Sequence, residues 1–311
     1  MKRLFTVLLP VFVVCANASA QQTYAFVERD STIYLDVYQP TVEPNGYTVV
    51  HMFGGGFLFG SRQRPWDVEY CRKLAERGYT AVAIDYRLGL RGETNVGIRA
   101  VGALEKAVYM ASADCAAAVD FLVTHAEELR INPEKIILAG SSAGAITALM
   151  TDYGRCNALS YVAELPEGWK PAGIVAYSGA IYSTLGGLKW ADEPAPTLLW
   201  HGTVDKLVTY KKIEFGKRGF YGANAIAKQM EKKNYRYAIY RYTRLGHEVS
   251  MGGPLTLEEL DLFVKQYITE GRALHTDITV RDDSIKPSTW TYITVKDLYK
   301  KKKGASTIAQ Q

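Results

Sequence analysis

The sequence is poor in the residues that hold metals or build disulfide frameworks: 4 cysteines and 5 histidines stand in 311 residues, in no ligand-like spacing. Cys15 falls near the amino terminus, which leaves Cys71, Cys115 and Cys156, an odd set that permits at most one intrachain bridge. All three lie in or just after helix-like segments, where buried thiols are expected. Strong charge of either sign is also missing. The net charge is +5, partly from Lys2 and Arg3, and is too mild to argue for a nucleic-acid partner. Beyond the amino terminus no stretch reads as long and apolar enough to span a bilayer, and no internal repeat is present. With 48% hydrophobic and 22% charged residues the composition excludes general disorder, and the length allows one large α/β domain or two small ones.

What is present begins with a secretory leader. Lys2 and Arg3 precede an apolar run over residues 4–14, and Ala18-Ser19-Ala20 stands ahead of Gln21. The run is too short to cross a membrane, and the small-x-small ending is what signal peptidase reads. Residues 1–20 are therefore expected to leave as a signal peptide, cleaved near Ala20, giving a secreted or periplasmic protein. Cys15 would suit lipidation if a small residue preceded it; Val14 is branched.

Residues 23–28 and 32–38 alternate in polarity about Asp30-Ser31 and predict a β-hairpin. Residues 47–53 form a compact apolar run of the kind buried in a parallel sheet, stopped by Gly54-Gly55-Gly56. Helix 66–77, strand 80–85, a long helix over 104–129, strand 135–139, helix 143–153 and strand 173–177 follow. Strand 197–201, helix 223–233, strand 235–242 and helix 254–270 complete the series. Strands alternating with helices imply a mostly parallel central sheet with helices on both faces. Beyond residue 271 the alternation stops: residues 277–281 and 289–295 could pair as a small hairpin, and residues 300–303 are a lysine run. The expected division is thus a leader at 1–20, one domain at 21–271 and an extension at 272–311.

The chemistry centres on Gly140-Ser141-Ser142-Ala143-Gly144, placed between a strand and a helix. In such a G-x-S-x-G turn the serine is held at strained backbone angles with its hydroxyl over the sheet edge; only Ser142 has a glycine two residues to either side. A serine hydroxyl is a poor nucleophile unaided, so a histidine base and a carboxylate to orient it are required. His51 lies inside a strand, His125 near a helix end, His275 in the extension, and His201 ends a strand, where packing or turn stabilisation is expected. His247 alone lies in a loop after the last strand of the alternating series, and the order serine, acid, histidine then selects Asp205, in a loop after strand 197–201. Asp192 and Glu193 precede that strand and read as solvated charges; Glu248 is the rival acid, but neighbours in sequence usually point apart. Donors for the oxyanion are expected from the Ala143 amide and from Gly55 and Gly56. Asp85 and Arg87 are expected to brace loops.

Phe53-Gly54-Gly55-Gly56-Phe57, Asp85-Tyr86-Arg87-Leu88, the serine turn, His201-Gly202-Thr203-Val204-Asp205 and Gly246-His247 together resemble the successive motifs of α/β-hydrolase esterases. The resemblance runs over residues 47–270 and is to hormone-sensitive-lipase-like carboxylesterases and secreted carbohydrate esterases of the acetyl-xylan and feruloyl types. It implies the α/β-hydrolase fold and a Ser142-His247-Asp205 triad acting on a carboxylic ester through an acyl-enzyme, with no metal or organic cofactor. Two departures stand out. The family's usual histidine before the glycine run is Phe53 here, and the short span between Leu149 and Trp200 leaves no room for a large lid. The stretch 210–222, with Lys211, Lys212, Phe215, Lys217, Arg218, Phe220 and Tyr221, could offer aromatic and cationic contacts that suit a sugar or an aromatic acyl group of a carbohydrate or small-molecule ester, or be a solvated loop. A prolyl-oligopeptidase-type peptidase and a silent hydrolase-fold binding protein share the fold; the first would want an upstream propeller and an acidic anchor, and the second commonly lacks a triad member.

Overall fold

The computed structural model describes residues 21–93 and 100–299; the expected signal peptide and the lysine run lie outside them. The amino-terminal hairpin is β1 (Gln22–Glu28) and β2 (Thr32–Tyr38), paired antiparallel. Then come β3 (Thr48–Met52), α1 (Pro65–Ala75), β4 (Thr80–Ile84), α2 (Val101–Thr124), the single turn α3 (Ala126–Leu129), β5 (Ile136–Ser141) and α4 (Ala143–Cys156). The second half holds β6 (Gly173–Tyr177), β7 (Ala180–Ser183), β8 (Thr197–Gly202), β9 (Lys212–Phe215), β10 (Arg218–Gly222), α5 (Ala223–Lys232) and β11 (Tyr237–Tyr242). It ends with α6 (Leu257–Phe263), β12 (His275–Val280) and α7 (Val295–Tyr299).

Nine strands form one sheet in the order β1-β2-β4-β3-β5-β6-β8-β11-β12, parallel from β4 to β12. The reason is visible in the strands. Val49, Ile137 and Leu198 pack with the α1 and α6 side, whereas Val50, Leu138 and Leu199 pack with α2, α4 and α5. A strand that buries both faces must be apolar throughout, and such side chains contribute about 1.5–3 kcal/mol each on burial. α2 is by length and composition apolar enough to cross a membrane, contrary to the reading along the chain, but much of it is buried against α4 and β1. Cys71, Cys115 and Cys156 are buried free thiols on α1, α2 and α4, and burial raises the pKa of each.

The carboxyl-terminal third departs from expectation. Residues 275–280 are not half of a hairpin but β12, added in parallel to β11 at the sheet edge, so the main domain runs past residue 271. The supposed partner strand is instead a 3-10 turn, Thr289–Thr291, followed by α7, in which Asp297 accepts from the Thr294 amide and hydroxyl. The expected helix over 254–270 is broken into a 3-10 turn at Gly253–Leu255, α6 and a π-helical stretch, Val264–Thr269. Gly252, Gly253 and Pro254 account for the late start of α6. Part of stretch 210–222 is the hairpin β9-β10, which pairs with β7 in a second sheet.

Candidate active site

Parallel strands end at one rim, and the loops there carry the chemistry. At the end of β5 the chain reverses into α4 through Ser142, which has φ 53° and ψ −115°, a strained conformation for a residue with a side chain. The Ser142 amide donates to the Tyr177 carbonyl at 2.8 Å, while the Ser141 hydroxyl donates to the Ser250 carbonyl at 2.7 Å, tying this turn to the loop that carries His247. The flanking glycines are dictated by contact: a Cβ on Gly140 would lie 2.3 Å from the Gly144 carbonyl, and one on Gly144 would lie 2.0 Å from the Met52 carbonyl oxygen.

His247 follows β11 in the 3-10 turn His247–Met251, and Asp205 follows β8, the strand beside β11. The structure brings the three together. His247 Nε2 lies 2.8 Å from Ser142 Oγ, and His247 Nδ1 lies 2.8 Å from Asp205 Oδ2. A carboxylate only accepts, so the proton of the neutral imidazole sits on Nδ1 and leaves Nε2 free to accept from the serine hydroxyl. Ser142 is 7% and His247 3% exposed, so the array is shielded from bulk solvent.

Asp205 has more partners than the sequence suggested. Its Oδ1 accepts from the amides of Leu207 and Val208, at 2.8 and 2.9 Å. His201, fully buried, places Nε2 3.3 Å from Oδ2 and 3.1 Å from the Val208 carbonyl oxygen. Both neighbours are acceptors, so Nε2 carries the proton, and the other nitrogen is bare and buried. Burial alone would raise the Asp205 pKa, yet hydrogen bonds and attraction from His201 and His247 outweigh it and hold the carboxyl below its ordinary value. The spacing of His201 and Asp205 across one turn was the signal for this contact, and the packing role expected of His201 is thus directed at the acid. Glu248 is not the rival acid in this geometry: its carboxylate takes the Gly246 amide at 3.0 Å and the Thr291 hydroxyl.

The glycine loop reaches the serine turn through Gly54. Gly54 packs against Ser142, with a Cβ there meeting the Ser142 Cβ at 3.2 Å. Gly55 has φ 138° and accepts from the Leu58 and Phe59 amides, and a Cβ on it would lie 1.9 Å from the Phe59 carbonyl oxygen, so only glycine fits. Gly56 also takes positive φ, and Ala143 opens α4, whose first amides have no acceptor within the helix. Phe53, in place of the family's histidine, holds the loop by stacking on Tyr86 at 4.4 Å, and the Tyr86 hydroxyl donates to the Phe53 carbonyl at 2.6 Å. His51, two residues earlier, points to the other face of the sheet and pairs with Asp67 of α1 at 2.8 Å. Arg62 pairs with Asp85 and Arg87 with Asp114, bracing contacts in both cases.

The stretch 210–222 spreads its aromatic rings apart: Tyr210 lies against His201, Phe220 against Tyr182, and Phe215 is exposed. Among the described residues no group of three or more His, Cys, Asp or Glu side chains could hold a metal ion.

Comparison with known proteins agrees with this architecture. The family described as BD-FAE matches residues 35–160, which include the glycine loop and the serine turn. Lipase 2 of Moraxella sp. (strain TA144) is 32% identical over 98 residues, covering 31% of this chain and 19% of the lipase. Cholinesterase 1 of Branchiostoma lanceolatum is 29% identical over 122 residues, covering 37% of this chain and 31% of the cholinesterase. The chain therefore spans less than a third of the length of these curated relatives. Among solved structures, esterase 2 of Thermogutta terrifontis with butyrate bound superposes with a TM-score of 0.57 at 22% identity, over 79% of this chain and 93% of that one. The same esterase has been solved phosphorylated by paraoxon. The fold is that of an α/β-hydrolase.

Proposed function

We propose that this protein is a secreted serine carboxylesterase, with acyl esters of carbohydrates as its narrower substrate class. The observation that carries the reading is the continuous line from Ser142 Oγ through His247 to Asp205, two contacts of 2.8 Å on a strained turn facing a glycine loop. His247 Nε2 takes the Ser142 proton as the hydroxyl oxygen attacks the ester carbonyl. The tetrahedral oxyanion is received by the Ala143 amide and by Gly55 or Gly56, each such donor being worth about 3 kcal/mol in the transition state. Asp205 holds the imidazole in the tautomer with Nδ1 protonated and stabilises its charged form. The alcohol leaves with the proton from His247, and water, activated by the same imidazole, releases the acid. Support for the carbohydrate class is the motif resemblance; support for secretion is the leader pattern ending at Ala20.

The test joins two measurements. Paraoxon, which phosphorylates the Thermogutta esterase, is expected to add one phosphoryl group to Ser142, found by peptide mass mapping, and to abolish p-nitrophenyl acetate turnover. Ser142→Ala should neither turn over the ester nor take the label; a variant that keeps its activity sinks the reading.

A further inference from the structure

The residues after β12 return to the site. Thr291 is buried against the histidine loop: its hydroxyl donates to Glu248, and Gly246 approaches so closely that a Cβ there would lie 2.7 Å from the Thr291 Cα. Trp290 places its ring 6.3 Å from the His247 ring, tilted by 46°. Eight residues on, a methyl of Leu298 lies 3.5 Å from where a Cβ on Gly56 would stand. The segment thus touches both the histidine loop and the glycine loop, the two elements between which a bound carbonyl must sit. Lys206 lies over the exposed Tyr292 ring at 5.9 Å, a further tie between this segment and the acid's loop.

We infer that this carboxyl-terminal segment is one wall of the substrate cleft, and that Trp290 is a specificity-determining residue which receives the alcohol portion of the ester and favours a ring there. The inference rests on the esterase reading and follows from its chemistry. In acylation the bond from Ser142 Oγ to the carbonyl carbon forms, and the bond from that carbon to the alcohol oxygen breaks. The proton taken from Ser142 passes from His247 Nε2 to the departing alkoxide. The alcohol must therefore lie within hydrogen-bond reach of Nε2, and Trp290 is the aromatic ring beside that imidazole. A half-buried indole offers a broad apolar face to a ring and little to a short alkyl chain.

All acetate esters pass through one acetyl-enzyme, whose hydrolysis no longer contains the alcohol. Contact with the alcohol therefore acts on acylation, whereas bracing of His247 would act on both half-reactions. The experiment compares 2-naphthyl acetate with ethyl acetate on the full chain and on Trp290→Ala, and follows decay of the acetyl-enzyme in a single turnover. The ratio of kcat/KM for the naphthyl ester to that for the ethyl ester should fall about tenfold, the size of one aromatic contact, and naphthyl acylation should lose more than deacylation. Trp290→Phe should lose less selectivity than Trp290→Ala, and it supplies the readout if the alanine variant does not fold. An unmoved ratio, or equal losses in both half-reactions, overturns the inference and leaves the esterase standing. A wild-type enzyme that forms no acetyl-Ser142 overturns both.

Discussion

His51 with Asp67 and His247 with Asp205 are buried imidazole-carboxylate pairs of the same length, 2.8 Å, one between β3 and α1 and the other between loops at the sheet rim. Each aspartate is held below its ordinary pKa although burial opposes it: His51 and Arg64 act on Asp67, as His201 and His247 act on Asp205. What differs is the second nitrogen. In His247 it meets a serine hydroxyl on a strained turn, whereas in His51 it has no partner and the ring lies edge-on to Tyr70. A buried pair is thus not itself a catalytic signature. Placement at the rim, beside a serine on a strained turn, is what separates the contact proposed to be catalytic from a brace for β3 and α1.

The contrast is broken most directly by neutralising each acid in turn. Asp205→Asn should lower kcat/KM for p-nitrophenyl acetate about ten thousand-fold, by permitting the wrong imidazole tautomer. Asp67→Asn should lower the unfolding free energy in urea by about 3 kcal/mol, because it breaks a buried ion pair, with less than a tenfold change in activity per folded molecule. If the two variants exchange these effects, the assignment of roles is wrong. The smallest effect is on pH dependence. Since both carboxyls have folded-state values below the unfolded ones, their stabilisation is complete above the ordinary carboxylate range, about pH 4, and is lost as pH falls through the depressed values. The melting temperature should therefore drop below that range. His201→Asn, which removes a donor to Asp205, should make the drop shallower; a steeper one would show that His201 does not stabilise the charged acid.

Central strands and the serine turn were legible because burial on both sheet faces and contact between backbones leave few residue choices: Val49 with Val50 on β3, and Gly140 with Gly144 around Ser142. The order of loops then pointed to Asp205 and His247, since parallel strands deliver their carboxyl ends to one side. β12 was misread because it is an edge strand, with His275, Asp277, Ile278 and Thr279 exposed and no apolar alternation to mark it. β7 was missed for another reason. It is only four residues long, follows β6 after just Ser178 and Gly179, and leaves the main sheet to pair with β10, a partner that lies far along the chain. Trp290 carried no sequence signal, because its place depends on the return of the chain to the histidine loop.

The contact of Thr291 with Gly246 and Glu248 has a consequence for the growing chain. Serine, acid and base are all synthesised before the segment that packs on the base's loop. A ribosome-held chain, or one clipped after β12, would own its reactive groups yet lack their final neighbour. Completion of the histidine loop would then wait until the segment beyond β12 has emerged and packed.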